Sequence, residues 1–174
     1  MLMNLSQLRS LTDTPKTAFD ARRRQGSYVW LGDDALLGEE IGGGRREKYN
    51  LSHALGLATM DRALRKGVGL VQADRLGALA CEGAVNAPSG WFQRGPIDQH
   101  LFVGFIPLAG GELCLDFPAG TLDEWVKCLK KVARGNDVDH PHAPDGLFLQ
   151  DITLLWRRLQ ERLMAGMTKV SGRD

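Results

Sequence analysis

The chain has 174 residues and 22 Lys and Arg against 21 Asp and Glu, so it suits one or two small domains and is nearly neutral overall. Residues 1–80 carry about +3 and residues 81–174 about −2, which is a mild bias toward nucleic acid at the N-terminal end. No stretch approaches the roughly twenty apolar residues of a membrane span, and no secretion signal is present, so we expect a soluble, cytoplasmic protein. Three scattered cysteines exclude a disulfide framework and a paired-cysteine zinc site.

Two short helices joined by a turn are predicted at the N-terminus. Leucines recur every third residue over 5–11, which gives a first helix one apolar face. Thr14 is predicted to cap a second helix that has Pro15 in its first position. Gly26 is predicted to end that helix in the left-handed conformation.

The second predicted helix carries a basic face. On a helical wheel Arg22 lies on the apolar side, where we expect its stem to extend along that surface. The opposite side holds Lys16, Thr17, Asp20, Arg23 and Arg24. A face of this kind after a tight turn is typical of a helix that enters the major groove. The alternative is a solvated face, because cations near a helix C-terminus are favourable anyway.

A wing is predicted next. Ser27–Leu31 is rich in strand-forming residues, 32–44 is a glycine-rich loop, and Arg45–Tyr49 is a plausible return strand. The loop lacks the elements of a phosphate-cradling loop and is interpreted as a wing tip. It also carries four acids that phosphate would repel, namely Asp33, Asp34, Glu39 and Glu40.

A helix pair follows the wing, with Tyr49–Ser52 opening a helical pattern that closes on Arg65–Leu70. In this order, the segments 8–26, 28–48, 49–52 and 63–73 resemble the DNA-binding domain of MerR-type regulators and related excisionase-like proteins. The resemblance covers residues 4 to about 80. It implies a winged helix-turn-helix domain, a double-stranded DNA partner, and a homodimer paired through a C-terminal helix on pseudo-palindromic sites.

The predicted DNA-contacting residues come from the helix-turn-helix and from the wing. Bases or phosphates would be contacted by Thr14, Lys16, Thr17, Arg23 and Arg24. The wing would grip the backbone or the minor groove through Arg45, Arg46 and Lys48.

The C-terminal half is predicted to be a separate unit, so that the whole chain is α+β with domains 1–82 and 91–170. The boundary is the turn-prone segment 82–90. Residues 100–108 and 112–117 are predicted to form a β-hairpin. Thr121 then caps a helix whose apolar stripe includes Trp125 and Val132.

A long last helix is predicted from Leu147 or Phe148 to about Met167. Its apolar positions either form a dimer interface or pack on the chain's own hairpin, and the spacing alone does not decide between the two. The predicted interface set is Phe148, Ile152, Leu155, Trp156, Leu159 and Leu163.

No catalytic, metal or cofactor site is predicted. The best metal candidate is an acidic-histidine loop, which is typically just solvated, and its residues are Asp137, Asp139, His140, His142 and Asp145. A ligand pocket is a weaker interpretation than ordinary core for the aromatic set Trp91, Phe92, Phe102, Phe105 and Trp125. Neither a serine elbow nor a zinc-protease helix appears, so an enzyme is disfavoured.

The predicted function is a sequence-specific, homodimeric transcriptional regulator that binds DNA, and the sequence identifies no effector. One alternative keeps the fold and makes the protein a phage-type architectural factor, either excisionase-like or a small packaging subunit. Another makes it a protein-interaction adaptor that does not bind DNA, for which the acids of the wing loop are the best support.

Overall fold

The computed structural model describes residues 2–32, 48–87, 92, 99–107, 115–116, 119–134 and 147–171. Within these ranges the fold is α+β. The helices are α1 (Leu5–Thr12), α2 (Lys16–Arg24), α3 (Leu51–Arg65), α4 (Leu70–Asn86), α5 (Leu122–Ala133) and α6 (Ile152–Ser171). The strands are β1 (Leu101–Ile106), β2 (Leu115–Asp116), β3 (Gly120–Thr121) and β4 (Phe148–Asp151).

The boundaries of α2 follow from its caps. The carbonyl of Pro15 accepts the first helical hydrogen bond, from the amide of Phe19 at 3.0 Å, so Pro15 is the N-cap. The prediction that Thr14 caps α2 was therefore wrong. At the other end Gly26 has φ +84°, and the amides of Gly26 and Ser27 donate back to the last turn of α2. The predicted left-handed glycine is confirmed.

The predicted strand at 27–31 is instead a 3₁₀ turn, Val29–Gly32, which follows a left-handed Tyr28 (φ +71°). The Asp74 carboxylate of α4 accepts from the Tyr28 amide (3.0 Å) and from the Trp30 indole (3.1 Å). These two hydrogen bonds to α4 take the place of strand pairing, so the segment forms a turn.

The return arm of the predicted wing is described only at its end. Tyr49 forms an isolated antiparallel bridge with Met3, with N–H···O distances of 2.6 and 2.8 Å. Residues 33–47, with the predicted loop acids, lie outside the described residues. The described end of this arm therefore pairs with the segment that precedes α1, and not with residues 27–31.

The predicted helix pair is present as α3 and α4. Asn50 caps α3 through a reciprocal pair of hydrogen bonds with His53, each 3.1 Å, and Gly67 (φ +84°) ends the helix. The two helices cross so closely that a Cβ on Gly56 would lie 2.7 Å from the carbonyl oxygen of Gly77. Because α4 continues to Asn86, the boundary predicted at residue 82 falls inside a helix.

In the small sheet β1 pairs antiparallel with all three of the other described strands, β2, β3 and β4. Phe105 is opposite Asp116 of β2, which confirms the predicted hairpin pairing, and Leu101 is opposite Thr121 of β3. Residues 102–105 of β1 also pair with residues 151–148 of β4. Since Phe105 has partners in both β2 and β4, those two strands occupy opposite edges of β1.

Residues 148–151 correct the prediction that the last helix begins at Leu147 or Phe148. Their pairing with β1 makes them a strand, and α6 starts at Ile152. Four residues with two apolar members carry no period that separates a strand from a helix turn.

One hydrophobic core connects the two predicted domains. Alternate β1 residues serve different layers, since Val103 faces the helical core whereas Phe102 and Ile106 pack with Trp125 of α5. The larger cluster contains side chains from both sides of the predicted boundary, among them Leu8, Phe19, Leu55, Met60, Leu76, Val103, Ile152 and Leu159. Described residues before and after the predicted boundary therefore pack in the same cluster.

Half of the interface set predicted for the last helix is buried within the single chain. Ile152, Leu155 and Leu159 are buried inside the single chain, and Leu163 packs against the same core. The other two members make aromatic stacks, Trp156 with Phe92 (ring centroids 4.7 Å apart) and Phe148 with Phe105 (5.0 Å). The stripe therefore packs within the chain, and Ile152 and Leu159 expose no surface for a second copy.

Candidate nucleic-acid interface

The outer face of α2 is a solvent-exposed basic surface, which we call the α2 face and define as Lys16, Thr17, Arg23 and Arg24. All four side chains are exposed, as predicted. Lys16 makes an exposed ion pair with Asp20, one turn later, at 3.3 Å. The face therefore presents cations at both ends of a nine-residue helix.

The inner side of α2 is fixed by aromatic packing. Phe19 is only 1% exposed, and its ring stacks on Tyr28 with centroids 4.7 Å apart and planes 9° apart. At about 100° per residue Phe19 lies at the flank of the α2 face, beside Lys16 and Arg23 and roughly opposite Thr17 and Arg24, so its burial directs Thr17 and Arg24 toward solvent. Tyr28 is in turn held by the hydrogen bond that its backbone amide donates to the Asp74 carboxylate.

A buried carboxylate connects α3 to both ends of α2. Asp61 is 4% exposed and accepts hydrogen bonds from the Thr14 hydroxyl and the Arg22 guanidinium. The Thr14 hydroxyl donates its hydrogen bond to Asp61, so toward Thr12 it can only accept. The Thr12 hydroxyl, 2.9 Å away, donates either to Thr14 or to the carbonyl of Leu8. Polar groups of α1, the turn and α2 thus converge on one acid of α3.

Thr14 is consequently an interior residue. Its side chain is 4% exposed and its hydroxyl is engaged with Asp61, so it is not part of the α2 face. Its role in the structure is to hold the turn, and the predicted contact with DNA is corrected on that ground.

Arg22 does not extend along the apolar side as expected. Its Nη1 donates to Asp61 and to the Tyr28 hydroxyl, the latter at 3.2 Å. Burial alone would lower the pKa of Arg22, but the hydrogen bonds to Tyr28 and Asp61 and the charge of Asp61 outweigh it, so the pKa is raised. Burial raises the pKa of Tyr28, which keeps its hydroxyl protonated beside the ion pair.

The turn between α1 and α2 is also held from the C-terminal helix. Nη1 of Arg162 in α6 donates to the carbonyl of Leu11 at 2.9 Å, and Nη2 forms an ion pair with Asp13. Asp13 occupies the left-handed region (φ 56°) and caps the end of α1. Residues 11–14 are therefore contacted by both α3 and α6.

The predicted wing contacts are placed only in part. Lys48 is half-buried and directly precedes the Tyr49–Met3 bridge, which locates it at the start of α1. Arg45 and Arg46 lie outside the described residues.

No protein-family model and no curated protein sequence matches this chain. The function of the chain is therefore inferred from the geometry of α1–α4 and α6.

Sequence reasoning missed three residues of this region, Asp61, Asp74 and Arg162. Asp61 had a readable signal, because it lies among buried residues of α3 such as Met60 and Ala63, whereas Asp74 lies between Gln72 and the exposed Arg75 and had none. A charge at a position like that of Asp61 requires a partner. Arg162 had no signal, because arginines are common on exposed helix faces.

The remaining candidate sites are accounted for differently. The acidic-histidine residues 137–145 and Trp91 lie outside the described residues, within which no group of three or more His, Cys, Asp or Glu could hold a metal. Phe92, Phe102 and Trp125 are buried core residues. No helix in the described part of the chain has both the length and the apolar character to cross a membrane.

Proposed function

We propose that the chain is a sequence-specific DNA-binding protein, a transcriptional regulator with a MerR-like helix-turn-helix, in which α2 is the reading helix. The observation that supports this is the α2 face, which is exposed and basic and whose helix is held by the packing of Phe19 and by hydrogen bonds to Asp61. Helix, three-residue turn and helix are the parts from which such a module is built.

The size and chemistry of α2 suit a major groove. Nine residues at 1.5 Å each give a helix of roughly 13 Å, close to the groove width of about 12 Å. Lys16 and Thr17 lie at the N-terminal end, which commonly approaches base edges, while Arg23 and Arg24 lie at the other end. Each cation that meets a phosphate releases counterions and makes binding dependent on salt.

Rigid presentation favours selective binding. Side chains on a helix that is already ordered lose less freedom on association than those on a flexible segment. Phe19, Arg22 and Thr14 contact the rest of the protein and order α2 from its inner side, while the four residues of the α2 face are exposed.

The proposed regulator acts as a homodimer whose interface lies outside the α6 stripe. The two large apolar side chains with the greatest exposure in the described residues are Val29 (79%) and Val71 (76%). Val71 is in the first turn of α4, and Asp74 of the same helix anchors the segment that carries Val29. We expect Val71→Asp to shift a dimer toward monomer in sedimentation equilibrium, with an unchanged circular dichroism spectrum.

The deciding experiment is binding to duplexes of random sequence across a salt series, followed by selection and sequencing of the bound pool. Lys16→Ala and Arg24→Ala should each reduce the salt slope by about one unit. The matched control is Lys130→Ala, an exposed cation on α5, which packs on the other side of the sheet. The control should leave both affinity and slope unchanged.

Each outcome of that experiment points to one function. A pseudo-palindrome that depends on the α2 face supports the regulator. Tight, sequence-blind binding favours the architectural factor. The absence of binding at low salt would overturn DNA binding and favour the protein-interaction adaptor. An equal loss in the Lys130→Ala control would overturn the assignment of DNA binding to α2.

A further inference from the structure

The contact between Arg162 and the α1–α2 turn connects the C-terminal helix to the proposed reading helix. The Leu11 carbonyl is one of the last four carbonyls of α1, which have no partner within the helix. Arg162 supplies that partner at 2.9 Å and also pairs with Asp13, the left-handed capping residue. The Arg162 guanidinium thus contacts both the Leu11 carbonyl and Asp13, the residue that caps the end of α1.

The end of α1 determines where α2 begins. After Asp13 the chain has only Thr14 and Pro15 before the first residue of α2. Proline has a fixed φ, and Thr14 is held by Asp61, so little freedom remains between the capped end of α1 and α2. A change at Asp13 is therefore transmitted to the orientation of α2.

Arg162 is itself placed by the C-terminal half. The α6 helix continues directly from β4, and Asp151 caps its start by accepting from the Leu154 amide at 2.8 Å. Ile152 and Leu159 fix the helix in the core. By contrast, the side chains of Arg162 and Asp13 are 49% and 59% exposed, so their contact lies at the surface. A contact of this kind contributes little to global stability, and it can open without unfolding the core.

We propose that Arg162 is a positioning residue through which the C-terminal half controls the orientation of α2. In this arrangement a ligand or partner that shifts α6 would release the turn and weaken DNA binding. The part that concerns DNA rests on the proposed function, whereas the hold on the turn is a property of the free protein.

The test compares Arg162→Ala with Arg158→Ala, which removes an exposed arginine one turn earlier on the same helix. The first measurement is amide hydrogen exchange in the free protein, read at Thr14, whose amide donates to the carbonyl of Arg9 at 3.0 Å. The second is affinity for the selected duplex at fixed salt. Thermal unfolding of both variants is recorded alongside.

We expect Arg162→Ala to speed exchange at Thr14 and to weaken duplex binding about fivefold or more, the lower end of typical coupling between sites. Its thermal midpoint should match that of Arg158→Ala. Arg162→Lys keeps the charge but lacks the guanidinium fork, so it should restore part of both signals. A merely structural role would instead lower the midpoint and the exchange protection of α3 together.

Two results would overturn the proposal. One is unchanged exchange at Thr14 in Arg162→Ala. The other is faster exchange with unchanged affinity, which would show that the turn is held but not coupled to α2. If the unaltered protein binds no duplex, the proposed function fails, and the exchange result alone decides whether Arg162 positions the turn.

Discussion

Replacing the two members of the Arg22–Asp61 pair one at a time should give unequal losses of stability. The Asp61 side chain is 5% exposed and that of Arg22 is 20% exposed. Arg22→Ala leaves a carboxylate in the interior with Thr14 as its remaining side-chain donor among the described residues. Asp61→Asn leaves a guanidinium that still meets Tyr28 and can turn toward water.

These differences set the expected magnitudes. Removing one partner of a buried ion pair costs about 3–5 kcal/mol when the other charge stays buried, which is the case for Arg22→Ala. Asp61→Asn removes the negative charge from an acceptor of two hydrogen bonds, each contributing about 1.5–3 kcal/mol, and leaves a neutral oxygen that accepts more weakly. The new amide keeps an oxygen for Thr14 and the guanidinium is partly solvated, so we expect a net loss of about 2 kcal/mol.

The assay is urea unfolding followed by tryptophan fluorescence at neutral pH, with the slope against denaturant checked for each variant. The double variant Arg22→Ala with Asp61→Asn completes the cycle and should lose less than the sum of the single changes, because no charge is then left buried without its partner. A loss for Asp61→Asn that equals or exceeds the loss for Arg22→Ala would refute the reasoning, because it would place the desolvated charge on Arg22 instead of Asp61.

Three further predictions use other parts of the chain. Burial lowers the pKa of His53 from its ordinary 6.5. The neutral imidazole therefore contributes stability above pH 6.5, and this contribution is lost as the pH falls through the pKa of the folded state. The His53→Gln variant can keep the capping box and does not titrate, so between about pH 7.5 and about pH 5 it should lose less stability than the unaltered protein in urea titrations. A Cβ on Gly56 would lie 2.6 Å from the Trp30 ring, so Gly56→Ala should destabilise the protein by about 1–3 kcal/mol. A Cβ on Gly166 would meet nothing within 4 Å, so Gly166→Ala should stabilise the protein by about 0.5–1 kcal/mol. Thermal unfolding that ranks the two variants in the opposite order would contradict the packing at these positions. Burial raises the pKa of the Cys81 thiol to about 12, so mass spectrometry should find it unalkylated at about pH 8 until the protein is unfolded.

The elements that sequence reasoning located correctly are those with local determinants. Gly26 at the end of α2 and the Thr121 capping box of α5 depend on residues within a few positions. The two segments that were misassigned, 27–32 and 148–151, take their conformation from distant partners. Asp74 anchors the first and β1 pairs with the second, and neither partner leaves a signal in the segment itself.

The candidate site divides in the same way. Exposure of Lys16, Thr17, Arg23 and Arg24 follows from the helical period and was predicted. The groups that hold their helix were not predicted, because Asp61 lies 39 residues after Arg22 and Arg162 lies 149 residues after Asp13. A helical wheel shows which side of α2 is polar, but it does not show that Arg22 has an acid to reach on the inner side.

The strand partners of β1 become available at different times while the chain is being synthesised. One edge of this strand is completed by β2 and β3, which follow it closely, but the other edge is completed by residues 148–151, which leave the ribosome more than forty residues later. Until then the apolar run 101–106 has an open edge that another nascent chain can extend. The helices α1–α4 are already outside by that stage, so early formation of their core, against which Val103 packs, would shield one face of β1 while its last partner is still being made.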